Sequence, residues 1–511
     1  MRSRLLAAIV AGALTVPLLG SAVAAPAPAA ASDRATEALA AAQALFAEKS
    51  PVAARRHAVT TGRDASMVLN ELRKSMGDLS PADQKQARAL LARPTAPGGD
   101  GIVDYTAAEA TPVCGATICV HYVPPGSGDS HAPPNVDTND NDIPDEVDRA
   151  LATAENVNSR YVSAGYRSPD RDGSIGGNSN KVDVYLADVG AIGYYGYCTT
   201  DQPAKGDGTS NYWAYCVIDD DFRAAQFPTN TPRENQQVTL AHEYFHAVQY
   251  AYDADEANWF LEATATWAED ELFDWVNDNW NYLPYGQMGE PRIPLNTFDG
   301  LVHYGNWIFF RYLTEKYRAE TGGIPNLVLE MVQRGSNRTG EPDANAMQAI
   351  ARELKQRGTT LSKVYGQFAT ANRIPKKSYD EGRNYRAATP TKTWTLSASK
   401  RSTGTWNTKV RHLSNWPLRY KPGQGTGAGN WKIRLRVDMQ PKVTVPSARV
   451  LVFKKNGKVA TSTIRLNRRT KGTKVLPFSS RSVKYVELVL VNASPSSNEG
   501  STRFSASIFR R

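Results

Sequence analysis

Thr231-Pro232-Arg233-Glu234 opens, and His242-Glu243-Tyr244-Phe245-His246 fills, one continuous helical pattern. The first four residues form a capping box with Pro at the first helical position. Val238, Ala241, Phe245, Val248 and Tyr252 then recur at alternating spacings of three and four, an apolar stripe on a helix of about five turns. H-E-x-x-H sets His242 and His246 one turn apart on the same side, where both imidazoles reach one metal ion. Glu243 between them is placed to activate a water for hydrolysis. The plain alternative is a pair of histidines on an ordinary core helix. It needs chance to supply His, Glu and His in register on a well-capped amphipathic helix.

A catalytic zinc takes three protein ligands and leaves a fourth position open. Trp259 to Glu269 has helical composition with no Gly or Pro, and the acidic stretch from Asp253 to Asn258 suits a turn before it. Two antiparallel helices joined this way bring Glu262 back across from His246. Glu262 is the expected third ligand, and Glu269, two turns on, is its competitor. Thr266, four residues after Glu262, either orients that ligand or is an ordinary helix-face threonine.

H-E-x-x-H followed by Trp259, Glu262, Ala265, Trp267 and Glu269 resembles the gluzincin group of zinc metallopeptidases, which includes the thermolysin and aminopeptidase N families. Leu261 and Ala263 depart from the aminopeptidase N pattern, which has Asn and Gly there, and the gap from His246 to Glu262 is shorter. Cys114 to His121 and Asp183 to Asp188 also look like a narrower set of secreted bacterial putative metalloproteases. The likeness covers residues 111–320. It implies a zincin-like fold and a peptidase mechanism in which Glu243 is the general base. It also implies a donor for the developing oxyanion, with Tyr304 the first candidate and His303 the second.

Export is expected from the N-terminus. Met1 to Arg4 is basic, Leu5 to Gly20 is apolar, and Ala22-Val23-Ala24 is a cleavage signal, so residues 1–24 read as a signal peptide. Four cysteines fit an oxidising compartment and two local disulfides, Cys114–Cys119 and Cys198–Cys216. The second pair would staple the Gly-rich loop at Gly193–Gly196 to a strand at Trp213–Asp219. That strand is a candidate edge for binding peptide by strand addition.

Asp137, Asn139, Asn141, Asp145 and Asp148 occupy positions 1, 3, 5, 9 and 12 of a calcium-type loop. Asp142 stands where such loops have Gly, and a solvated helix-capping turn is the alternative. Asp170, Asp172 and Asp183 are a looser acidic group.

The 511 residues divide by composition. Residues 25–110 read as Ala-rich helices (Thr36–Lys49, Ala65–Gly77, Pro81–Arg93) and a Pro/Gly linker, suggesting a pro-region that inhibits sterically, or else a permanent helical domain. Residues 111–385 mix strands (Ile118–Val123, Val182–Leu186, Ala214–Ile218) with helices, an α+β pattern. Residues 386–511 alternate as an antiparallel β-sandwich, with Asn456-Gly457 signalling a type I′ hairpin. After Arg386 there are 25 Lys+Arg and 3 Asp+Glu, net +22, against +9 for the whole chain, leaving −13 elsewhere. This basic appendage suits an anionic cell-surface polymer, or simply solubility. No nucleic-acid motif accompanies it.

Two function classes follow. One is a secreted, monomeric zinc peptidase acting on protein or peptide substrates. Endopeptidase is favoured because no G-x-M-E-N-type segment is present to grip a free amino terminus. The other is a surface-binding or adhesive module with a structural or inactive zinc site. Glu243 favours the first, since a structural site has no use for a base.

Overall fold

The computed structural model describes residues 31–46, 65–96, 101–177, 180–496 and 498–510. The expected signal peptide lies outside these residues, as do 47–49 of the first expected helix and 97–100 of the linker. The fold is mixed α+β with several sheets.

A five-stranded sheet lies at the centre, in the order β1-β2-β3-β5-β4. Its strands are β1 (Val113–Cys114), β2 (Ile118–His121), β3 (Val182–Leu186), β4 (Gly196–Thr199) and β5 (Tyr215–Ile218). β2, β3 and β5 run parallel; β1 and β4 close the two edges antiparallel. Parallel strands are covered on both faces, which is why β3 and β5 are buried at every residue. The two-residue period sorts the cover. Val184, Leu186 and Ile218 face the Asp145–Ser163 helix and the helix carrying the H-E-x-x-H motif, Pro232–Tyr250. Tyr185, Tyr215 and Val217 face three N-terminal helices, Ala31–Phe46, Ala65–Ser75 and Pro81–Leu90.

The motif helix begins as its capping box dictates. The Thr231 side chain accepts from Glu234 N, and the Glu234 carboxylate accepts from Thr231 N at 2.9 Å. Beyond the first turn nearly every residue is buried, so this is a central helix and not the half-exposed one the stripe suggests. After a turn it meets the partner helix, Asn258–Leu272. Helices at Trp307–Lys316, Asn326–Arg334, Ala346–Gln356 and Leu361–Ala371 complete this layer, with a short pairing of β6 (Glu320–Thr321) and β7 (Ile324–Pro325) between the first two.

The C-terminal region packs two sheets around one core. The first, in the order β13-β12-β15-β10-β8, holds Lys392–Leu396 (β8), Ser414–Pro422 (β10), Pro446–Lys454 (β12), Val459–Ile464 (β13) and Val483–Asn492 (β15). The second, β14-β11-β16-β9, holds Ser402–Arg411 (β9), Trp431–Gln440 (β11), Lys471–Pro477 (β14) and Glu499–Arg510 (β16).

Four expectations need correction. β5 is interior, and the edge is β4, because Gly196 to Thr199 pairs as a strand where the glycines suggested a loop. β8 joins β10 in parallel, so the sandwich is not wholly antiparallel. The Asn456-Gly457 hairpin is not type I′: Gly457 N donates to Lys454 O and only Gly457 has positive φ (78°), which makes a three-residue loop. The sandwich is also no separate appendage. Leu451, Val489 and Val491 enter the same core as Leu361, Tyr365 and Phe368.

Candidate metal centre

The motif helix and the partner helix bring together the three residues expected as ligands. One ligating atom each of His242, His246 and Glu262 lies within 4.8 Å of the others. His242 Nε2 is 3.0 Å from Glu262 Oε2, and His246 Nε2 is 3.7 Å from Glu262 Oε1. All three side chains are fully buried. His246 Nε2 and Glu262 Oε1 have no hydrogen-bond partner among the described residues. Two imidazole nitrogens and a carboxylate converging with orphaned atoms fit zinc in number and in kind. Burial disfavours a charged imidazole, yet the Glu262 and Glu269 carboxylates raise His242 to about 10. Against its burial, the His246 and His242 imidazoles hold Glu262 well below the usual carboxylate range.

Glu269, the competitor, stands outside that trio. Its Oε1 lies 2.7 Å from His242 Nδ1, on the far side of the ring, where it fixes the tautomer and the ring plane. His246 has the matching support from Gln249, whose Oε1 lies 2.7 Å from His246 Nδ1. Gln249 is anchored in turn through Nε2, which donates to Leu261 O and Thr264 Oγ1. Sequence reading missed Gln249, although its place three residues after His246 was a usable signal. Thr266 does not orient the Glu262 carboxylate; its hydroxyl donates to the Glu262 backbone carbonyl at 3.0 Å.

Glu243 is 1 % exposed and faces an unexpected neighbour. Ser66, on the N-terminal helix Ala65–Ser75, donates from Oγ to Glu243 Oε2 at 2.7 Å and accepts from Cys198 N at 2.8 Å. Cys198 belongs to the edge strand β4. One hydroxyl thus occupies both the carboxylate and an edge N–H. Asn70 donates to Ala254 O at 2.6 Å, Asn258 donates to Glu71 at 3.0 Å, and Arg73 pairs with Asp255. No motif marks Ser66 in the sequence.

Tyr304 is buried with its ring 6.0 Å from that of His242 and packed on Tyr282 and His303. His303 stacks with Phe298 on the outer side.

Both disulfides form as paired in the sequence reading, each between directly opposed residues of an antiparallel strand pair. Cys198 and Cys216 pack on Ala247 and Tyr250 of the motif helix, which ties the edge strand to the histidines.

The acidic loop turns through left-handed Asp140 and Asp142 (φ 56° and 64°). Asn139 and Asn141 both donate to Asp148 Oδ2, at 3.0 and 2.9 Å, and Asp137 accepts from Asn141 N and Asp142 N. Asp145 is the exception: it turns back to accept from Thr138 N and Oγ1, upstream of the helix it begins. The looser acidic group is held by arginines. Arg93 takes Asp172 (2.6 Å), Asp183 and Asp201 (2.8 Å), and Arg338 takes Asp170 (2.8 Å).

No family model and no curated protein matches the sequence. Among solved structures, the periplasmic lysozyme inhibitor PliG of Aeromonas hydrophila is similar at 13 % identity and a TM-score of 0.15, over 23 % of this chain and 98 % of its own. A family GH115 4-O-methyl-α-glucuronidase with specificity for decorated arabinogalactans is similar at 10 % identity and a TM-score of 0.14, over 57 % and 43 %. At these scores neither likeness carries an argument about fold or function.

Proposed function

We propose that this chain is an exported zinc peptidase of the gluzincin type, with a zincin-like domain at residues 111–385, held in a latent state by its N-terminal helices. The observation that carries the reading is the convergence of His242, His246 and Glu262 beside the buried Glu243. Zinc held by these three residues supplies Lewis acidity toward a water and a peptide carbonyl. Glu243 takes a proton from the attacking water and hands it to the departing amine. Tyr304 is the donor to the oxyanion. β4 offers its free edge to an extended peptide, and Ser66 covers that edge and the base together. Export is supported by two disulfides and by a leader-like start, and no helix of the described residues is long and apolar enough to cross a membrane. We also propose a structural calcium in the Asp137–Asp148 loop, and an anionic surface polymer as the partner of the basic sandwich. There Arg436, Arg465, Lys471 and Arg503 line a groove of about 520 Å³.

The test measures zinc content and hydrolysis of an unstructured protein substrate. It compares the wild type, Ser66→Asp, and Ser66→Asp combined with Glu243→Gln. The introduced carboxylate repels Glu243 and opens the cleft. All three should hold one zinc; the wild type should cut slowly, Ser66→Asp faster, and the double variant not at all. A zinc-loaded Ser66→Asp protein that cuts nothing would sink the peptidase reading and leave the surface-binding module with a structural zinc site.

A further inference from the structure

A cluster of three carboxylates closes between the ends of two parallel strands. Asp188 follows β3, and Asp219 and Asp220 follow β5. One carboxylate oxygen from each lies within 4.8 Å of the others. Asp219 is fully buried and Asp220 is 4 % exposed. The backbone prepares the group. Gly190 N and Phe222 N donate to Asp219 at 2.7 and 2.6 Å, and Ala191 N donates to Asp188 at 3.0 Å. These donors aim the carboxylates and favour their ionised form.

The neighbouring cation does not balance them. Arg223 is half exposed, and its ion pairs run to Asp188 (3.2 Å) and Asp221 (3.7 Å). Asp220 Oδ1 is sealed from water with no hydrogen-bond partner among the described residues. The side-chain oxygen of Gln226 is in the same condition, while its amide nitrogen donates to Asp188 at 2.6 Å. A buried, unmatched carboxylate beside two others is costly unless a cation sits among them. Burial, with the charges of Asp219 and Asp221 added, pushes Asp220 up to about 8.

We propose that Asp188, Asp219 and Asp220 bind a calcium ion, with the Gln226 amide oxygen as a further donor. The donors are all hard oxygens, which excludes the nitrogen and sulfur preference of zinc. They come from two loops and not from a rigid octahedral cage, which suits calcium better than magnesium. The ion would clamp the turn that leads into β4 against the loop that leaves β5. Asp219 N already donates to Tyr195 O at 3.0 Å across that gap. Calcium would therefore hold the edge strand in place, a role that does not depend on the zinc reading.

The experiment uses the full chain, zinc-loaded and desalted into calcium-free buffer. Calcium alone is titrated by calorimetry, with Tm recorded before and after. The wild type should take up calcium and gain Tm. Asp220→Asn should lose one equivalent, or bind it at least ~tenfold more weakly, since affinity follows the number of charged ligands. It should melt no lower than the wild type without calcium, because Asn replaces a carboxyl that burial already keeps largely protonated when no ion is bound. Asp188→Asn, on the outer side of the cluster, should lose the same equivalent if Asp220→Asn folds poorly. Asp137→Asn with Asp148→Asn should keep it, which separates the two acidic loops. Calcium uptake by Asp220→Asn and Asp188→Asn that equals the wild type in stoichiometry, affinity and Tm gain would overturn the proposal, as would a wild type that binds none outside the Asp137–Asp148 loop.

Discussion

His242 and His246 are each gripped from behind, by Glu269 and by Gln249. Outer partners of this kind set ligand basicity and ring orientation. Glu269→Gln should therefore weaken zinc about 10- to 100-fold in a chelator competition while leaving the fold intact. Tyr304→Phe should bind zinc normally in the Ser66→Asp background and lose about 10²- to 10³-fold in kcat, the usual effect of removing one oxyanion donor. Glu256 makes a separate point about pH. It is 8 % exposed, and burial pushes its carboxyl up to about 7, opposed by the N–H of Ala257 at 2.7 Å. Between the ordinary value of 4.5 and about 7, the folded chain holds a proton that the unfolded chain has lost. Stability therefore falls as pH rises through that window. Glu256→Gln should flatten the Tm profile over the same window; an unchanged slope would remove Glu256 as its source.

Among the elements, those with strong local signals were legible and those fixed by distant contacts were not. The motif helix announced itself through Thr231, Pro232 and Glu234, and β3 through an apolar run from Val182 to Leu186 broken only by Asp183. The convergence of His242, His246 and Glu262 was legible because both helices carry strong local signals and a short turn joins them. β4 was hidden because Gly196 is a weak strand former; here Val217 O and Thr239 crowd the space its Cβ would occupy, at 2.8 and 3.1 Å. The two-faced burial of the motif helix was hidden for the opposite reason. His242, Glu243 and His246 read as polar, and each is buried against a hydrogen-bond partner, Glu269, Ser66 and Gln249 in turn. β8, β9 and β14 are rich in Lys, Thr, Ser and Arg, so their alternation is thin. The Ala65–Ser75 helix was legible as a helix, but its seat on β4 rests on contacts 132 and 177 residues away in sequence, which no local pattern carries.

The whole molecule is more continuous than its composition implies. Arg373, 6 % exposed, donates to Glu487, fully buried on β15, at 2.9 and 3.2 Å, while Arg419 donates to the same carboxylate from β10. This joins the helical layer to the sandwich where their cores merge. Removing Arg373 takes away two charge-assisted hydrogen bonds but leaves Glu487 paired with Arg419. Arg373→Ala should cost about 1.5–3 kcal/mol in denaturant unfolding. It should unfold both regions in one transition; two separate transitions, with the sandwich melting alone, would show the regions to be independent. The N-terminal helices are joined to the rest in a different way, through the aromatic face of the central sheet at Tyr185, Tyr197 and Tyr215 and through Arg93 among three carboxylates. Severing the chain between those helices and β1 would leave both contacts in place. The clipped segment would stay seated as a separate molecule, and a tethered association would become a bimolecular one. From then on the fraction of open cleft would follow total concentration: low where the protein is crowded at its source, rising as it disperses.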